Sequence, residues 1–298
     1  MEKPLVSIGV PIYNAEKFLV ERINSLIHQT HKNIEIIISD NASTDTTEKI
    51  CKKFAEKDVR IKYIRQKNNM GAMWNFMFVL ENANGKYFTW AAADDLISPE
   101  YIEKCILILE RERDIACCTS KLELYGPQSN YLQTKKVDSL IEKIKRKILL
   151  RYGYLNTFST QGEYKNRINQ FFKKARHNQI YYSIYRTEQI KKCVVKTSFI
   201  LHDTATIVSI LEFGNLYVIE KNLMKTYDSG DSRVGLREVT DQMKHENLDK
   251  IFPYYQYTKW CFKKLGLKLF IRNIVYFIKM AIAGSISVTI FILSKIRL

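Results

Sequence analysis

At 298 residues, with 46% apolar and 26% charged side chains, the chain has the make-up of a folded protein, and wholesale disorder is excluded. Lys and Arg number 47 against 31 Asp and Glu, a formal charge of +16 that points to an anionic partner: nucleic acid, acidic lipid headgroups or a nucleotide diphosphate. The six cysteines show no CxxC spacing and the five histidines no zinc-ligand spacing, which argues against a structural zinc and for reduced thiols. The beginning, Leu5-Val6-Ser7-Ile8, reads as a strand rather than a secretory leader, so the folded part is expected in the cytosol.

Strand and helix signals then alternate. Val6–Pro11 is a short β-rich run, and Ala15–Gln29 has helical spacing through Phe18, Leu19, Ile23, Leu26 and Ile27. Ile34–Ser39 is almost continuously apolar, as a strand covered on both faces would be. Asp45 and Glu48 have capping-box spacing for a helix through Phe54, and Arg60–Ile64 reads as a third strand. A helix over Met70–Leu80 and a strand over Lys86–Ala92 follow. Ser98-Pro99-Glu100 predicts an N-cap with proline at the first helical position, for a helix to about Glu112, before a strand over Ile115–Leu124. From about Gly126 to Gln179 the pattern weakens, except for the amphipathic run Ser139–Arg151. Strand Ile180–Tyr185, helix Thr204–Phe213 and strand Leu216–Ile219 restore it. This alternation predicts an α/β fold with a mainly parallel, Rossmann-like doubly wound sheet flanked by helices, and ligands at the carboxyl ends of its strands.

Asp40 and the pair Asp94-Asp95 fall at such ends. Two carboxylates at a strand end suit a hard cation that bridges phosphates, and Asp40 suits a nucleobase or ribose; an acidic turn and an Asx-turn are the plain alternatives. The combination is more specific than its parts. Pro11-Ile-Tyr13-Asn14, Ser39-Asp40-Asn41-Ala42-Ser43-Thr44-Asp45, Asn69-Met-Gly71 with Asn75, and Ala93-Asp94-Asp95 closely resemble glycosyltransferase family two, densely over residues 5–105. That resemblance implies a GT-A fold and an inverting transfer from a nucleotide-diphosphate sugar. It implies that Pro11, Tyr13, Asn14, Asp40, Gly71, Asn75 and Asp94 line the donor site, and that Asp94 with Asp95 binds Mg2+ or Mn2+. The family's common DxD form would put an aspartate where this chain has Ala92, so Asp94 becomes the main expected ligand and Asp95 its helper. By the same resemblance Asp203, in Phe199-Ile-Leu-His-Asp203, is the expected general base, although it also fits a helix N-cap; Arg233, in the late loop Tyr227–Arg233, is an expected diphosphate contact. For Arg186 both phosphate binding and strand-end capping remain open.

Residues 1–233 are thus expected to form the transferase domain, 1–125 its nucleotide-sugar half and 126–233 its acceptor half, with 234–298 a helical, basic and apolar extension. The clusters Lys143–Arg151, Lys165–Arg176 and Lys259–Arg272 alternate cations with apolar residues and match anionic lipid better than nucleic acid, for which no motif is present. Ile274–Leu293 carries a single charge, Lys279; a span, an in-plane anchor and a helix packed on the domain are all compatible with it. The expected place is the cytoplasmic face of a membrane, and the expected acceptor a saccharide or lipid-linked saccharide of surface polysaccharide or glycolipid assembly. A non-catalytic saccharide-binding scaffold and a metal-dependent nucleotidyltransferase are the competing readings.

Overall fold

The computed structural model describes residues 3–126, 157–174, 179–227, 252 and 254–296, with side chains to Ser285. In chain order the elements are β1 Val6–Ile12, α1 Glu16–Ile27, β2 Ile34–Asp40, α2 Thr47–Ala55, β3 Ile61–Arg65, α3 Ala72–Glu81, β4 Tyr87–Trp90, β5 Leu96–Ile97, α4 Tyr101–Arg111 and β6 Ile115–Tyr125. Beyond these come α5 Tyr164–Lys174, a 3-10 turn Gln179–Tyr182, β7 Ile184–Arg186, α6 Thr187–Cys193, α7 His202–Ile210, β8 Asn215–Tyr227, α8 Tyr255–Arg272 and α9 Ile274–Ile296.

Among the described residues the strands make one eight-stranded sheet, in the order β3-β2-β1-β4-β7-β6-β8-β5. The first four are parallel; β7 is antiparallel to both β4 and β6, β8 runs parallel to β6, and β5 lies antiparallel on β8. The mainly parallel sheet expected from the sequence is therefore present. The apolar run of β2 is buried throughout, and it splits by alternation: Ile34, Ile36 and Ile38 belong to the core layer with α1, α2 and α4, while Ile37 belongs to the opposite layer, which holds α3 and the C-terminal helices. The tail belongs to that second layer, since Tyr257, Cys261, Leu269 and Phe277 are buried in it.

Helix starts differ from the sequence reading in chemistry. Asp45 does accept the Thr47 amide at the start of α2, but Glu48 returns no reciprocal bond. The other Asp45 oxygen accepts the Glu16 amide of α1, and Glu16 accepts the Thr46 amide and hydroxyl at the start of α2, so the two helices cap each other. Glu48 is spent on Lys52 and Arg65. Helix α4 starts at Tyr101, where the amide bonds the Ser98 carbonyl rather than its side chain. Residues expected as the strand Ile180–Tyr185 form the 3-10 turn and only then β7, because the Tyr185 hydroxyl donates back to the Ile180 and Tyr181 carbonyls and folds the segment on itself.

Glu35 is one of two charged residues of β2, with Asp40 at its end, and is only 6% exposed. Burial alone would raise its pKa, but Lys62 at 2.6 Å, the Ser7 hydroxyl at 2.6 Å and the Asn84 amide at 2.8 Å hold it down at about 2. A folded pKa below the unfolded value gives stability that is present in full above about 4.5 and lost as the pH falls towards 2. Glu35→Gln should cost about 3 kcal/mol at pH 7. Urea midpoints measured from pH 7 down to pH 3 should show the gap between wild type and variant closing.

Candidate active site at the strand ends

β1 lies between β2 and β4, with Ile12 opposite Asp40 and Gly9 opposite Trp90, so Pro11–Asn14, Asp40 and the turn holding Asp94 share one edge of the sheet. Pro11, Tyr13, Asn14 and Asp40 come together at that edge. Pro11 is buried in β1, Tyr13 is 47% exposed beyond it, and Asn14 takes a positive φ of 48°. The Asn14 amide donates to the Ser43 hydroxyl at 2.9 Å, and its side chain accepts the Thr44 amide at 2.8 Å, which ties the loops after β1 and β2 together.

Asp40 is fully buried. One of its oxygens accepts the Ser43 amide, the other the Tyr63 hydroxyl and the Arg65 guanidinium, each at 2.8 Å. Its neighbour Asn41, unremarked in the sequence except within the motif, organises the third loop. The Asn41 amide group donates to the Asn69 side chain and the Gly71 carbonyl, and its oxygen accepts the Met70 amide. Gly71 has φ 88° and open space where a Cβ would stand, so glycine serves the backbone conformation and leaves that approach clear. Asn75 is buried and donates to the Ile12 and Ser39 carbonyls at 3.3 and 2.9 Å, clamping the ends of β1 and β2; its own carbonyl oxygen has no protein partner.

The two acidic neighbours are held differently. Asp94 sits part-exposed in the turn after β4, and the Tyr125 hydroxyl, from the end of β6, fixes its carbonyl at 2.6 Å. Phe18, Tyr125 and Tyr227 pack edge to face behind that turn. Asp95 points inward and is 3% exposed; burial and the Asp94 charge push its pKa up to about 7, against the opposing pull of Arg22. Arg22 is itself 3% exposed. Burial lowers its pKa, Asp95 is the strongest influence raising it, and its Nε and Nη1 face a cavity of about 10 Å3 shared with Thr89, Tyr101 and Tyr182. A cavity of that size admits about one water. Sequence reasoning missed Arg22, and a signal was there: it falls on the same stripe of α1 as buried Leu19, Ile23 and Leu26. Removing this cation should strand Asp95. Arg22→Met is expected to lower stability by about 3 kcal/mol, and Arg22→Lys by less, measured by urea denaturation; equal stability of all three proteins would contradict the coupling.

Asp203 is in the first turn of α7, part-exposed, with one oxygen accepting the Thr204 amide at 2.6 Å. It is not the N-cap: Leu201, with φ 70°, holds that position. The charges of Asp203 and of the strand-end pair act on one buried phenol, Tyr182. Burial raises the pKa of this phenol, and the charges of Asp95, Asp94 and Asp203, all within electrostatic reach, raise it further. Tyr181 and His202 meet edge to face beside it. Arg186 is a structural residue: its guanidinium donates to the carbonyls of Leu109, Glu112 and Ile115, closing the ends of α4 and β6. Arg233 and the loop from Asp228 lie outside the described residues, as does Lys143–Arg151.

No group of three or more His, Cys, Asp or Glu side chains able to hold a metal is present among the described residues. A cation here would rest on Asp94, with Asp95 beneath it and oxygens from water and ligand completing the shell. That all-oxygen, one-or-two-carboxylate set fits Mg2+, which usually keeps several waters and takes substrate phosphates.

A mainly parallel sheet covered on both faces, with carboxylates and motif loops at its carboxyl edge, has the architecture of GT-A glycosyltransferases. Residues 7–193 match the family described as glycosyl transferase family 2, and the chain belongs to that family. An uncharacterised glycosyltransferase of Haemophilus influenzae is 40% identical over 121 residues, 41% of this chain and 38% of the relative. The chain thus spans well under two thirds of that relative's length, as it does for other curated relatives. In fold it is similar to S. aureus TarS 1–349 in complex with UDP-GlcNAc (TM-score 0.55, 18% identity, 93% of this chain and 81% of that one). It is also similar to the mannosyltransferase PcManGT from Pyrobaculum calidifontis in complex with GDP-Man and Mn2+ (TM-score 0.59, 13% identity, 97% and 74%).

Proposed function

We propose that the chain transfers a sugar from a nucleotide-diphosphate sugar to an acceptor hydroxyl with inversion at the anomeric carbon. The observation that carries this is the shared carboxyl edge of the sheet, where the Pro11–Asn14 loop, Asp40 and the Asp94-Asp95 turn follow the neighbouring strands β1, β2 and β4. That edge supports an acidic phosphate end beside the nucleotide loops, and the charge of Asp203 acts on Tyr182 together with those of Asp94 and Asp95. The structures of TarS with UDP-GlcNAc and of PcManGT with GDP-Man and Mn2+ support a nucleotide-sugar donor.

In this reading Tyr13 offers its exposed ring to the base, and the loops of Asn14 and Gly71 border the nucleotide. Asp40 contributes from beneath: its carboxylate is spent on Ser43, Tyr63 and Arg65, so it holds the walls of the base site. Asp94 would hold Mg2+ or Mn2+ with Asp95 in support, and a cation held there would supply positive charge against the diphosphate leaving group. Asp203 takes the proton from the acceptor hydroxyl, whose oxygen forms the new bond to the anomeric carbon as the nucleoside diphosphate departs from the opposite face. The rings of Tyr182 and His202 border the acceptor, for which a saccharide or lipid-linked saccharide is the matching class, in surface polysaccharide or glycolipid assembly. Arg233 would meet the diphosphate from the late loop.

The test is incubation of the purified chain with a panel of radiolabelled nucleotide sugars and Mn2+. Release of nucleoside diphosphate from one donor, with a product of inverted anomeric configuration by NMR, is the expected result. Binding of a donor without turnover of any would favour the scaffold reading, and nucleotidyl transfer would replace this proposal.

A further inference from the structure

The C-terminal helices bury one face and leave another open. While Tyr257, Cys261, Leu269 and Phe277 pack inward, Leu267, Ile271, Val275, Ile278 and Ile282 are 51–63% exposed. At 3.6 residues per turn Leu267 and Ile271, at the end of α8, fall within about 40° of each other, and Val275, Ile278 and Ile282 of α9 within about 60°. Gly266, with φ 70° and ψ 165°, breaks α8 just before the stripe begins, so Leu267–Arg272 is set off from the first part of that helix. Exposed Lys268 and Arg272 border the apolar residues of α8, and exposed Lys279 follows Val275 by one turn of α9 and borders its stripe. From Ile251 to the last residue the sequence carries Lys and Arg but no Asp or Glu. No helix among the described residues is long and apolar enough to cross a membrane.

We propose that this stripe, from Leu267 to Ile282, lies in the plane of an anionic lipid surface, with the isoleucines at acyl-chain level and the cations on headgroup phosphates. The combination of an apolar arc with a one-sided cationic border is what an interfacial helix needs, and each cation near an anionic surface adds about 1 kcal/mol. Charge separates this occupant from two others. A second copy meeting the face symmetrically would set Lys268, Arg272 and Lys279 near their own equivalents. The run Ser139–Arg151 of this chain is amphipathic but also strongly basic, and would be repelled in the same way. Anionic lipid is complementary in both respects. The inference stands independently of the catalytic reading, since none of these residues is placed in the active site.

Co-sedimentation of the full chain with vesicles tests it, using phosphatidylcholine alone and phosphatidylcholine with phosphatidylglycerol. The chain should bind the anionic vesicles, at least about tenfold more tightly than the neutral ones, and lose binding as salt is raised. Ile271→Asp with Ile278→Asp should abolish association, and Lys268→Glu with Lys279→Glu should weaken it by about tenfold or more on anionic vesicles only. The far-UV circular dichroism spectrum and the urea midpoint in solution should be unchanged in both, which reports that they fold. Equal binding to both vesicle types, or binding indifferent to both double variants, would overturn the proposal. So would no vesicle binding, with a concentration-dependent dimer lost in Ile271→Asp/Ile278→Asp, which would assign the stripe to a second copy.

Discussion

Asp203→Asn is expected to lower kcat by about a thousandfold while leaving the donor dissociation constant within about twofold of wild type. Asparagine keeps the size of the side chain and still offers an oxygen to the Thr204 amide, so the first turn of α7 is retained. It cannot take the proton of an acceptor hydroxyl at neutral pH. A role confined to helix structure would show the opposite pattern, with a fall in thermal stability and little change in kcat per folded molecule. Kinetics at saturating donor, with donor affinity from calorimetry, separate the two. Loss of donor binding and turnover together, with the fold intact, would place Asp203 in the donor site and remove it as the base.

Asp94→Ala should act on binding. In the presence of Mn2+ the affinity for nucleoside diphosphate is expected to fall by about a hundredfold, as loss of a cation–phosphate link worth several kcal/mol would bring. With the metal chelated, wild type and variant should bind alike. The control matters because Asp94 also raises the pKa of buried Asp95. A purely structural effect of the substitution would persist in chelator; a metal effect would not. Ala92 makes the expectation sharper, since a chain with an aspartate at that position could retain a cation after losing Asp94, and this one has no such reserve.

Much of the fold was legible in the sequence, because strands buried on both faces and amphipathic helices leave unambiguous periods. The continuous run of β2 and the stripe Leu19–Ile23–Leu26 of α1 are examples, and the elements from β1 to β4 were placed to within a few residues. Failures came where tertiary contacts decide. The two-residue β5 exists only because β8 continues as far as Tyr227 to receive it. The 3-10 turn before β7 is set by the hydroxyl of Tyr185, not by propensity. In the site, the loops after β1, β2 and β4 carried their motifs openly, whereas the division of labour between neighbours did not. Asp94 and Asp95 are alike as letters, yet one is part-exposed and the other lies 3% exposed opposite Arg22, a residue of α1 far away in the chain. Tyr125 was equally silent, its hydroxyl reaching Asp94 only once β6 is folded.

The central claim is that the Asp94 turn is the diphosphate end of a nucleotide-sugar site. A crystal structure with uridine diphosphate and Mn2+, with anomalous scattering recorded at the manganese edge, tests it most directly. The expected map has one manganese peak in contact with the Asp94 carboxylate, bridging to the diphosphate, with the base at Tyr13. A nucleotide bound elsewhere, or a manganese peak with no bond to Asp94, would contradict it.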